Sequence, residues 1–177
     1  MMKQQPESPN TEQDLDLQAL NRGAKLLERG QAHEAIPHLE RAHELEATSV
    51  PVLITLGGAY VVAGRHKEAV PLLEAARDAE PGNAMVWINL GAAYLGNPLL
   101  ATDEQQIRAI EAFEQALELD PAAPSVHYNL GLIFIDQDEP DLALAAFRQA
   151  VETDPMDRDA RLWIRRLEDR EPSHQDP

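Results

Sequence analysis

Three residue series in this chain advance in steps of 34 or 40. Gly23, Gly57 and Gly91 lie 34 residues apart and Gly131 follows after 40. Ala35, Ala69, Ala109 and Ala143 step by 34, 40 and 34, and so do Ala42, Ala76, Ala116 and Ala150. A fixed period of this length marks a repeat architecture, in which a unit buries its apolar face only by stacking on a neighbour. Pro81, Pro121 and Pro155 keep the same register, with Ala47 at the first equivalent place. Gly91 is in step while Ala109 comes six residues late, so a six-residue insertion lies between them.

Within each unit the apolar spacing is helical. Leu53, Leu56, Gly57 and Tyr60 stand at i, i+3, i+4 and i+7, as do Trp87, Leu90, Gly91 and Tyr94, and then His127, Leu130, Gly131 and Phe134. That is one stripe of a helix. A second stripe follows in each unit: Ala69, Leu73 and Ala76; Ala109, Phe113 and Ala116; Ala143, Phe147 and Ala150. Each unit is therefore expected to be a helical hairpin, with Gly and Ala where the two helices cross closely. Asp120 before Pro121 and Asp154 before Pro155 end the second helix, because Pro steers the preceding residue away from the α region.

The third unit carries Trp87, Leu90, Gly91, Tyr94, Ala109, Phe113, Ala116 and Pro121, and through these residues the chain resembles the tetratricopeptide repeat (TPR) family. The resemblance implies an all-α fold, a right-handed superhelical solenoid of four TPR helix-turn-helix repeats plus a C-terminal capping helix. The units are expected at residues 16–49, 50–83, 84–123 with the insertion, and 124–157. The first departs furthest from the pattern, with Arg22 where Leu is usual. Ala160, Trp163, Ile164 and Leu167 repeat the stripe, so residues 158–169 are expected to cap the array. Arg158, Arg161, Arg165, Arg166 and Arg170 form either a polar jacket for that cap or a patch for an acidic surface. Residues 1–15 and 170–177 are expected to be disordered tails.

The charge balance narrows the partners. The 177 residues hold 15 Lys and Arg against 31 Asp and Glu, a net −16, and no Cys. Zero Cys removes disulfide scaffolds, Cys-based zinc sites and thiol nucleophiles. A strongly negative chain is a poor binder of nucleic acid, whose affinity comes from cations neutralising phosphates, and of anionic membranes for the same reason. The most apolar stretch, Val50 to Ala63, is interrupted by Pro51, Thr55, Gly57 and Gly58 and falls short of the roughly 20 residues a span needs. Met1 to Gln13 has no apolar core of a secretory signal, and a cytoplasmic location is expected.

Catalytic and metal chemistry lack a motif. His33, His38, His43, His66, His127 and His174 include no i, i+4 pair, and no Gly-rich phosphate loop or nucleophile motif is present. A non-enzyme without cofactor or metal is expected.

The resemblance implies that the first helices of successive hairpins line a concave side that holds a partner peptide. Independently, each first helix keeps a second face after its hairpin stripe is removed, and one polar slot recurs on it as Asn21, Thr55, Asn89 and Asn129. An amide both donates and accepts, so such a ladder can hold the backbone of a peptide whatever its side chains. Ile54, Ile88, Tyr128 and Leu132 flank the ladder as apolar pockets, and Asp136 favours neutral or basic ligands. The same face could equally serve to pack first helix on first helix. Some relatives clamp a chaperone C-terminal carboxylate with cations on this side; here the corresponding places hold Met85, Asn89, Ser125 and Asn129, which argues against that clamp.

The expected function is a non-catalytic protein-protein interaction adaptor or scaffold. A bacterial secretion-type or client-holding chaperone and a self-assembling structural protein, hence a homo-oligomer, are the alternatives. In the insertion, Asn97 and Pro98 turn the chain and Thr102 with Gln105 is expected to form a capping box opening a lengthened second helix. Leu99 and Leu100 there either staple the hairpin tip or join a contact surface.

Overall fold

A computed structural model of the chain describes residues 12–98 and 100–169. The expected tails fall largely outside these residues, except that helix begins at Glu12 rather than after residue 15. Among the described residues there are nine helices and no strand, an all-α repeat fold of the solenoid class. They fall into two compact units, Met1–Pro81 and Gly82–Pro177. The first holds α1 (Glu12–Glu28), α2 (Ala32–Leu45), α3 (Val50–Val62) and α4 (His66–Ala79). The second holds α5 (Ala84–Leu95), α6 (Asp103–Leu119), α7 (Pro124–Asp136), α8 (Pro140–Thr153) and α9 (Arg158–Glu168).

Local chemistry starts and stops these helices. Pro lies in the first turn of α3, α7 and α8, where its missing N–H is no loss. The Asn83 side chain accepts from the Met85 N–H at 3.1 Å, and Asp157 Oδ1 accepts from the Asp159 and Ala160 N–H groups at 3.0 and 2.9 Å. Gly30 and Gly64 close the first and second hairpin turns at φ 75° and 74°, the left-handed region open to Gly. In the fourth hairpin the same slot is filled by Asp138, at φ 58°.

Each hairpin is held by one close crossing. A Cβ on Gly91 would come within 2.5 Å of the Phe113 ring, and one on Gly131 within 2.6 Å of the Phe147 ring. Leu39 and Leu73 take the place of those rings beside Gly23 and Gly57. Ala35, Ala69, Ala109 and Ala143, with Ala42, Ala76, Ala116 and Ala150, are all fully buried along the second helices. Burying Phe113 or Phe147 completely is worth about 1.5–3 kcal/mol each.

The insertion divides between helix and loop. α6 has 17 residues against 14 in α2, α4 and α8. The connection before it runs over 96–102, where the other hairpins use 29–31, 63–65 and 137–139. The Thr102 Oγ1 accepts from the Gln105 N–H at 3.3 Å and the Gln105 Oε1 accepts from the Thr102 N–H at 3.0 Å, the expected capping box.

α9 closes the second unit. Ala160 and Leu167 join Ala143, Phe147 and Ala150 in one buried cluster, and Trp163 and Ile164 pack on it. Its outer side carries the arginines. Arg166 lies over the Trp163 ring at 5.3 Å, and the Arg161 guanidinium donates to the Pro155 carbonyl.

Candidate functional site

The residues expected to bind a peptide fall in both units. In the first, Asn21 on α1 is exposed, and Ile54 and Thr55 on α3 are partly exposed. The Thr55 hydroxyl donates to the Pro51 carbonyl one turn back, at 2.6 Å. That bond satisfies the hydroxyl within its own helix, so this rung offers an outside backbone less than an amide would.

In the second unit, Ile88 and Asn89 on α5 and Tyr128, Asn129 and Leu132 on α7 are all partly exposed, and the two helices touch. Asn129 donates one amide hydrogen to the Ser125 carbonyl at 2.9 Å, which leaves its Oδ1 as an acceptor for an outside donor. Tyr128 and Leu132 are not simply open. Both pack against the cluster that α8 and α9 build, and the Tyr128 ring meets Phe147 edge-on at 5.7 Å and 60°. Burial raises the Tyr128 pKa, against the Trp163 indole N–H bonded to its oxygen, which lowers it. Part of the expected pocket wall therefore doubles as the seat of the cap.

Asp136 has an internal partner. Its Oδ2 accepts from Gln106 Nε2 at 2.7 Å, and Gln106 Oε1 accepts from Gln137 Nε2 at 3.0 Å. Gln106 is 3% exposed and sits in the first turn of the lengthened α6, in the slot that holds Ala32, His66 and Pro140 elsewhere. The three side chains tie the first turn of α6 to the end of α7. Repeat comparison alone could have flagged Gln106, the amide in a slot otherwise filled by Ala, His or Pro; its burial could not be read that way.

Leu100, in the insertion, is 78% exposed, which places it outside any hairpin staple, and Ile107 in the first turns of α6 is 56% exposed. Leu99 lies outside the described residues. In the first unit, the Tyr60 hydroxyl donates to Glu40 at 2.7 Å while Arg65 lies over its ring at 4.2 Å. Among the described residues no three His, Asp or Glu come together to hold a metal ion, and no helix is long and apolar enough to cross a membrane.

Stacked helical hairpins closed on Gly–aromatic or Gly–Leu crossings define the class, and the chain belongs to the tetratricopeptide repeat family. Two models of that family match it, one over residues 26–88 and the other over 108–157 and 132–170. No curated protein matches the chain. Among solved structures, the thermophilic TPR protein TTC0263 of Thermus thermophilus shares the fold at a TM-score of 0.73 and 20% identity, over 86% of this chain and 80% of that one. MamA from Desulfovibrio magneticus RS-1, residues 41 to the end, is 26% identical at a TM-score of 0.65, over 85% and 79% of the two chains. A chain of the APC/C hetero-tetramer Cut9–Hcn1 gives a TM-score of 0.74 at 22% identity over 86% of this chain, but the match spans only 30% of that chain. The family fold supports a protein-interaction scaffold in general, and its members are generally non-catalytic adaptors.

Proposed function

We propose that this protein is a cytoplasmic adaptor that binds a neutral or basic segment of another protein across the first helices of its hairpins. The supporting observation is the pair Asn89 and Asn129, partly exposed on touching helices α5 and α7, with Ile88 beside them. Amides bind the peptide backbone and the apolar neighbours supply most of the affinity. A net charge of −16 speeds the approach of a cationic segment in a salt-dependent way. Asn21, Ile54 and Thr55 form a corresponding face on the first unit, with Tyr128, Leu132 and Asp136 in supporting places on the second.

The test begins with affinity capture and mass spectrometry to identify a bound segment, followed by calorimetric titration. Asn89→Ala with Asn129→Ala should weaken binding about tenfold or more, for two lost hydrogen bonds of about 1 kcal/mol each. Unchanged affinity with intact helicity removes the ladder from the binding site.

Exposed Leu100 and Ile107 favour a second function, that of a client-holding chaperone gripping apolar stretches of an unfolded chain. Such a chaperone retains one aggregation-prone client, whereas an adaptor retains folded proteins.

A further inference from the structure

The first unit carries a cationic ridge in a chain with twice as many acids as bases. Arg22, Lys25 and Arg29 are exposed along α1 at i, i+3 and i+7. With Leu26, Glu34 and His38 they line a cleft of about 270 Å³ between α1 and α2. Glu34, the one acid there, accepts from Gln31 Nε2 at 2.7 Å, and no salt bridge among the described residues engages the three cations.

Comparison with the other repeats makes these cations unusual. The slot of Arg22 holds Leu56, Leu90 and Leu130, exposed by 1%, 0% and 9%. The slot of Lys25 holds Ala59, Ala93 and Ile133, all buried. A face left open to water needs polar side chains there, but it does not need cations. Amides or carboxylates would solvate it equally well.

The second unit holds the complementary feature. A groove of about 320 Å³ between α8 and α9 has Leu144 and Leu167 as its apolar floor and Asp138, Asp141 and Glu168 on its rim, with Arg148 bound to Glu168 at 2.8 Å. Asp138 stands in the left-handed turn slot where the hairpins of the first unit use Gly30 and Gly64. A carboxylate is kept there although Gly fits that backbone with less strain.

We infer that the α1 ridge of one copy of this protein docks into the α8–α9 groove of a second copy. The methylene stems of Arg22 and Arg29 would lie on Leu144 and Leu167 while their guanidinium groups meet Asp138 and Asp141, the fork-to-carboxylate pairing that suits Arg. At about 0.15 M salt the mutual repulsion of two −16 chains is screened beyond about 8 Å, whereas pairs in contact are screened far less. The contact joins two different surfaces, so it is heterologous and closes a ring or propagates according to its rotation. It uses none of the residues proposed to bind a peptide and stands or falls separately from that function.

Sedimentation equilibrium of the full chain at about 0.15 M salt tests it. The average mass should rise above 19.6 kDa with concentration. Arg22→Glu with Arg29→Glu, and separately Asp138→Arg with Asp141→Arg, should each weaken association about tenfold or more, and mixing the two variants should restore it as a mixed complex. Asp138→Gly, with the residue its sister hairpins already carry, should keep the fold and still weaken association. A chain that stays monomeric to its solubility limit overturns the proposal, as would be seen were the cleft covered by the chain's own residues 1–11. So does association that persists in both reversed variants, which would point to the α9 arginines instead.

Discussion

The Trp163 indole lies flat on the Phe147 ring, with centroids 5.8 Å apart and planes 3° from parallel. Phe147 is fully buried, with this indole, the Tyr128 ring and Gly131 all against it. Trp163→Ala should cost the second unit about 2–4 kcal/mol, somewhat below a fully buried Trp because the indole is partly exposed. Urea denaturation gives the value, and hydrogen exchange should show the loss concentrated in α7, α8 and α9. A change under about 0.5 kcal/mol would show that α9 is not a cap.

Gly131→Ala forces a methyl group against the Phe147 ring and should destabilise by about 1–3 kcal/mol. Phe147→Ala alone should cost about 3–5 kcal/mol. Together they should cost less than their sum, because the cavity left by the ring accepts the added methyl. Thermal melts of the four proteins close the cycle, and strict additivity would mean that the crossing relaxes by moving the helices apart.

Tyr60 sets an alkaline limit. Burial, then its hydrogen bond to Glu40, raises its pKa from 10.0 to about 12. The folded state therefore favours the neutral phenol, and the unfolded chain loses that proton first. The contribution is fully present below pH 10 and is lost as pH rises through about 12. Tyr60→Phe should cost about 1 kcal/mol at neutral pH and flatten the decline of stability across that window. Denaturant titrations at stepped alkaline pH measure both, and an unchanged slope would mean that another group governs it.

The hairpins were legible because their determinants are local and recur. Gly57, Leu73 and the alanines repeat at fixed offsets, and the Thr102–Gln105 box lies within one turn of chain. The binding face was legible as a pattern of slots but not as surface. Whether Leu132 is open depends on what α9 covers, and Asp136 faces Gln106, 30 residues earlier in the chain. An expected ligand determinant thus already has an internal hydrogen bond. The ridge of Arg22, Lys25 and Arg29 shows in the sequence as departures from the repeat, Arg22 for Leu and Lys25 for Ala or Ile; that three cations share one cleft with His38 required the pairing of α1 with α2.

Sequence alone determined the number of hairpins, their register, the place of the insertion and the residues at each crossing, since a repeated unit states its own packing rule several times over. Tertiary structure decided which partly apolar positions remain reachable and which polar side chains find internal partners. The physical reason is that burial and hydrogen bonding belong to pairs of surfaces. A side chain such as Tyr128 or Gln106 has no fixed exposure until the helix against it is in place.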